Sequence, residues 1–133
     1  MTTPQSIPNP QPSGKTVLLV DDDHAVIKVM QEILRFLEHQ VIVADNGREA
    51  MRQYFQHKDE IDLVITDLDM PVMDGRALVS QLRADNPQLK IIIMTGNPIE
   101  LENLDSPIFQ VNLWLSKPFD MDVLMKALDT IDW

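Results

Sequence analysis

From Lys15 onward the chain alternates short apolar runs with stretches in which apolar residues recur every three to four positions. The first run, Thr16–Val20, predicts a strand. Residues 23–37 follow with Val26, Met30, Ile33, Leu34 and Leu37 on one face of a period of about 3.6 residues, the pattern of an amphipathic helix. Residues 41–44 predict a second strand. Asp45 or Asn46 can cap the helix after it, whose buried stripe is expected to be Ala50, Met51, Tyr54 and Phe55. Residues 63–66 form a third strand, and 76–84 a helix that stops near Asn86-Pro87. Residues 90–94 form a fourth strand, almost wholly apolar, as a strand covered on both faces must be. Pro98 and Pro107 leave room for at most a short helix within 97–112. Residues 113–115 predict a last strand, and 120–131 a closing helix through Leu124, Ala127, Leu128 and Ile131.

Strands alternating with helices define an α/β chain with a doubly wound, five-stranded parallel sheet and helices on both faces. In such sheets ligands bind just beyond the carboxyl ends of the strands. The residues at those ends are not a random sample. Asp21, Asp22 and Asp23 follow the first strand, Asp67 and Asp69 the third, Thr95 the fourth, and Ser116 and Lys117 the fifth. Asp is a poor strand former and costly to bury, so a buried run ending on Asp67 points to chemistry more than to packing.

Composition narrows the choice. The 133 residues suit one domain with a real core, and residues 1–14 differ from the rest. Pro4, Pro8, Pro10 and Pro12 stand there among Gln, Ser and Asn, so this segment is expected to be a disordered arm ahead of a folded domain at 15–133. No apolar run reaches the ~20 residues of a membrane span, and the start lacks the features of a secretory leader, which makes a cytoplasmic location the default. The absence of cysteine excludes disulfides and thiolate chemistry. A net charge of -10 argues against nucleic acid as a partner of this domain and favours cations and basic partners.

Several carboxylates on one rim repel one another unless a cation sits among them. Oxygen donors on an open rim favour Mg²⁺, which keeps part of its water and prefers a few carboxylates plus a phosphate. With phosphate as the second guest, a carboxylate beside the metal can attack phosphorus and form an acyl phosphate. Asp67 is the expected nucleophile, Lys117 a further positive charge, and Thr95 a hydroxyl donor to the phosphoryl oxygens.

The segments 17–22 (VLLVDD), 67–75 (DLDMPVMDG), 94–96 (MTG) and 117–119 (KPF) together resemble the receiver domain of two-component response regulators, over nearly all of the folded chain. The resemblance implies the flavodoxin-like strand order 2-1-3-4-5 and phosphoryl transfer to Asp67 from a histidine kinase or phosphotransfer protein in a phosphorelay. It implies that Asp22 ligates Mg²⁺ directly, Asp21 through water and Asp69 through its main-chain carbonyl, with Asp67 completing the set. Thr95 and Lys117 would grip the phosphoryl group, Trp114 would be the aromatic switch, and the Lys117-Pro118 bond would be cis. Pro71 and Gly75 would shape the loop. The output would be altered binding to a downstream effector protein or domain, with a homodimer as another form, and the domain would catalyse only its own phosphorylation and dephosphorylation. With no effector after Trp133, the chain reads as a stand-alone regulator or as a receiver cut from a longer protein. Gly96, Glu38, Trp114 and the two prolines of 97–112 depart from the family's usual residues.

Other readings compete. Asp21 to Asp23 taken alone would cap a helix, and Asp23 is expected to do so. Asp74-Gly75 reads as a turn and cap. Trp114 could serve simple packing, and His24, His39 and His57 lack metal-ligand spacing and read as surface residues. Asp67-Leu68-Asp69 also resembles the nucleophile and acid of haloacid-dehalogenase-type phosphatases, although those place the motif on their first strand. A pseudo-receiver that only docks partners is the third reading; the complete acidic and Lys set argues against it.

Overall fold

A computed structural model describes residues 14–96 and 111–133. The expected arm, up to residue 13, and the short helix expected between Pro98 and Pro107 lie outside the described residues. The elements in chain order are β1 (Thr16–Val20), α1 (His24–Phe36), β2 (Gln40–Ala44), α2 (Gly47–His57), β3 (Leu63–Asp67), α3 (Gly75–Asp85), β4 (Lys90–Thr95), β5 (Leu113–Ser116) and α4 (Met121–Thr130). The strands form one sheet in the order β2-β1-β3-β4-β5, and each pair is parallel. The chain steps outward from β1 to β2, then crosses to the other side for β3. That reversal opens a cleft between the carboxyl ends of β1 and β3.

Each central strand is apolar on both sides because each faces a helical layer. Val17, Leu19, Leu63 and Ile65 pack with Met30 and Leu34 of α1 and Leu124 and Leu128 of α4. Leu18, Val20 and Val64 pack with Met51 and Tyr54 of α2 and Leu78 and Leu82 of α3. Burying each such side chain stabilises the fold by roughly 1.5–3 kcal/mol, which fixes strand register, since a slip of one residue would exchange the two layers.

Among the described residues, all four helices begin on a side-chain cap. Asp23 accepts from the Ala25 amide at 3.0 Å, Asn46 from Glu49 at 2.9 Å, Asp74 from Ala77 at 3.1 Å and Asp120 from Val123 at 2.9 Å. Of the two candidates at the second helix it is Asn46 that caps. β3, β4 and β5 each run one residue beyond the sequence expectation, which draws Asp67, Thr95 and Ser116 into the ladder.

Phe55 corrects the expected stripe of α2: it is 55% exposed. Ala50, Met51 and Tyr54 fill the buried face, and a residue one step past Tyr54 turns about 100° away from it. The Phe55 ring instead meets Tyr54 edge-on at 5.4 Å and lies 5.5 Å from the Lys58 ammonium. In α1, Ile27 takes a fully buried place while Val26, Ile33 and Leu37 are half-buried. Glu38, after α1, has φ 70°, a left-handed conformation that a glycine would hold without cost. His39 is half-buried against Trp133, their rings 4.8 Å apart. Lys117-Pro118 is cis.

Candidate functional site

The sheet delivers the expected residues to one rim. Asp21 follows β1, Asp67 ends β3, Thr95 ends β4, and all three are buried. Asp22 and Asp69 are exposed at the mouth. The backbone of Lys117 is fixed by its amide, which donates to the Thr95 carbonyl at 2.7 Å. Its ammonium lies 2.8 Å from Asp21 Oδ2 and 3.3 Å from Asp67 Oδ1. The other oxygen of Asp21 accepts from the Asp23 amide at 3.0 Å. The helix cap and the acidic site therefore share one turn: Asp23 caps α1, and the bond from its amide orients Asp21.

The structure brings Asp21, Asp22 and Asp67 together, with one carboxylate oxygen of each within 4.8 Å of the others. Among the described residues one lysine, Lys117, faces this group. Burial raises the pKa of Asp67 and the neighbouring charge of Asp21 raises it further; Lys117 and the Leu68 amide only partly oppose them, leaving it pushed up to about 6. Burial pulls the Lys117 ammonium down, but its bonds and charge contacts with Asp21 and then Asp67 outweigh this and hold it above its ordinary value. A hard divalent cation fits such a site: the donors are all oxygen, they converge, and their charge exceeds what Lys117 balances.

Asp69 stands apart. Its carboxylate is outside the three-carboxylate group and lies 3.7 Å from Arg76, so only its main-chain carbonyl is left for the expected metal role. Arg76 carried no sequence signal beyond its charge. Trp114 is half-buried against the α2–α3 layer, opposite Ile93 in the ladder. Thr95 lies two residues beyond Ile93 on β4, so alternation puts it on the face that Trp114 covers. Asp74 and Gly75 form the expected cap and turn, with the Gly75 amide donating to the Leu68 carbonyl at 2.8 Å. A groove of about 640 Å³ opens beside the site between α1 and the start of α4; Lys117 lines it together with Val26, Val29, Ile33, Phe119 and Met121.

A doubly wound domain whose switch-point cleft holds three carboxylates and a lysine belongs to the class built to hold a cation and an oxyanion together. The chain matches the response regulator receiver domain over residues 17–129, and it belongs to that family. It is 33% identical over 113 residues to the transcriptional regulatory protein GlrR of Escherichia coli, covering 85% of this chain and 25% of GlrR. The chain thus spans about a quarter of that relative's length. Among solved structures, the chemotaxis response regulator CheY4 of Vibrio cholerae superposes with a TM-score of 0.80 at 26% identity, covering 89% of this chain and 99% of CheY4. The response regulator TrrA of Thermotoga maritima, solved in complex with Mg(2+)-BeF, gives 0.78 at 28% identity, with 86% and 96% covered.

Proposed function

We propose that this receiver domain takes a phosphoryl group onto Asp67 from the phosphohistidine of a histidine kinase or phosphotransfer protein, and that the modified rim changes its binding to an effector. The reading rests on one observation: Asp67 is a buried carboxylate at a strand end, 3.3 Å from Lys117 and within a cluster of acids suited to a divalent cation. In the transfer, an Asp67 oxygen bonds to phosphorus as the phosphorus–nitrogen bond of the donor breaks and the imidazole leaves with that electron pair. Asp21, Asp22, Asp67 and the Asp69 carbonyl would hold Mg²⁺, which supplies positive charge to the phosphoryl oxygens. Lys117 is already beside the acceptor oxygen and supports the same charge from the other side. Thr95 offers a hydroxyl to a phosphoryl oxygen, and the space vacated as it moves would let the Trp114 ring shift inward. The apolar groove next to Lys117 fits the helix that presents the donor histidine. In this reading the domain works in the cytoplasm and catalyses only reactions of its own Asp67; among the described residues no helix is long and apolar enough to cross a membrane.

The test is incubation with a small phosphodonor and Mg²⁺, followed by intact mass measurement. One hydroxylamine-labile phosphoryl adduct is expected on the parent and none on Asp67→Asn. Sustained hydrolysis of varied phosphomonoesters would instead mark a phosphatase, and a parent that never gains an adduct would leave only a docking role.

A further inference from the structure

The loop between Asp67 and Gly75 carries Asp69, and it is held at both ends by close backbone contacts. At its far end Gly75 lies against Asp67 and Leu68: a Cβ there would collide with the Asp67 carbonyl and lie 2.8 Å from Leu68 Cα. Nearer the middle, the Met73 carbonyl accepts from the Gly47 amide at 2.9 Å. Gly47 is the first residue of α2, so its amide is one of the donors that a helix leaves without an internal partner. A Cβ on Gly47 would meet Met73 O at 2.5 Å, Cγ at 2.6 Å and Cβ at 2.8 Å. Gly47 does not have positive φ, so its backbone would suit alanine; what demands glycine is the closeness of Met73.

The loop also holds Val72 at φ 70°, a rare state for a β-branched residue, inside a three-residue turn closed by the Met73 amide to the Pro71 carbonyl at 2.8 Å. A chain in that state persists only when its surroundings impose it. Here the surroundings are the two glycine contacts, one on α2 and one on β3. Gly75 is packed against Asp67 and Leu68, so a push on the Met73 carbonyl bears on the loop residues that lead back to Asp69.

We propose that Gly47 is a positioning residue for the cation site: its missing side chain lets α2 hold Met73, and through Met73 the loop that presents the Asp69 carbonyl. It contributes no ligand of its own. The inference rests on the metal-dependent reading above.

The test uses the full chain and Mg²⁺ alone. By titration calorimetry, Gly47→Ala is expected to weaken Mg²⁺ binding tenfold or more, and its melt in chelator to fall as well, because at the first helical position the propensity of alanine does not offset the contact with Met73. Adding Val72→Gly, which holds φ 70° freely and gives the loop slack, is expected to recover part of the affinity. A general packing role for Gly47 would lower the chelator melt and leave Mg²⁺ affinity at the parent's value. A second measurement needs no variant: coupling is reciprocal, so Mg²⁺ should slow hydrogen exchange of the Gly47 amide more than that of Ala50, which bonds within the same helix to Asn46. Equal Mg²⁺ affinity in Gly47→Ala and parent, or equal slowing at Gly47 and Ala50, overturns the inference alone. A parent that binds no Mg²⁺ overturns the metal reading and the inference with it.

Discussion

Two clusters in this domain pair a lysine with carboxylate, and they tune it in opposite directions. Between α2 and α3, Asp85 accepts from the Tyr54 hydroxyl at 2.7 Å and from Lys58 at 3.1 Å. Those bonds, Tyr54 first, hold the Asp85 carboxyl below its ordinary value. On the rim, Lys117 lies between Asp21 and Asp67, and Asp67 is pushed up to about 6. The ingredients match, but the ratio and the surroundings do not. Asp85 is solvated and has a lysine and a hydroxyl to itself, whereas Asp67 is buried and shares its lysine with a second buried acid. The first arrangement ties two helices. The second stores repulsion that a cation or a proton can relieve.

The sharpest way to break this contrast is to remove each lysine. Lys117→Met leaves two close acids without their cation, so the metal-free protein is expected to lose roughly 3 to 4 kcal/mol at pH 7.5. The loss should shrink at pH 5, where Asp67 is largely protonated. Lys58→Met removes an exposed, solvent-screened pair, so its loss is expected to be much the smaller of the two. Urea unfolding in chelator measures both, and similar losses would erase the distinction.

Removing the acids should give opposite signs. The folded pKa of Asp67 lies above its unfolded value of 3.8, so the native state binds the proton more tightly and stability falls as pH rises from about 4 to about 6. A neutral side chain escapes that loss, and Asp67→Asn is expected to gain about 3 kcal/mol at pH 7.5 and little at pH 4. The folded pKa of Asp85 is lowered, so its contribution is present above the unfolded value and is lost as pH falls through the folded one; Asp85→Asn should therefore destabilise at pH 7.5. Denaturant midpoints at the two pH values decide.

Metal should act on one cluster only. Mg²⁺ at about 100 times its dissociation constant is expected to add about 2.7 kcal/mol, seen as a raised melting temperature. Asp22→Asn should remove most of that gain and leave the metal-free protein no less stable, because it deletes a repelling charge. A full Mg²⁺ shift in the variant would exclude Asp22 as a ligand.

What the sequence made legible follows the same division. Strands and their carboxyl ends can be read from apolar runs, so Asp21, Asp67, Thr95 and Lys117 could be placed on one rim before any coordinates. Contacts between helices cannot be read that way. The pairing of Tyr54 with Asp85 depends on how α2 leans on α3, and nothing in the spacing of 31 residues signals it. Phe55 was misplaced for the same reason, since an aromatic residue next to Tyr54 looks buried until the helix is rotated onto its neighbours. Gly47 carried no sequence signal of its own. Its closeness to Met73 exists only after two loops, remote in sequence, meet.

The smallest expected effect tests whether the clusters are independent. Tyr54 is buried, and its hydroxyl, pushed up to about 12 by burial and by Asp85, stays a donor throughout the usable pH range. Tyr54→Phe keeps the ring and deletes that donor, so the loss should be about 1 kcal/mol at pH 7. It should fade in acid, because protonating Asp85 removes the charge that strengthens the bond. If the two sites are separate, the variant keeps the parent's Mg²⁺ shift and its phosphoryl adduct. The outcome is open to failure for a structural reason: α2 carries Tyr54 near its end and Gly47 at its start, against the loop that presents Asp69. A Tyr54→Phe variant with a reduced Mg²⁺ shift would mean that tilting α2 disturbs that loop, and the tie between α2 and α3 would then be part of the cation site.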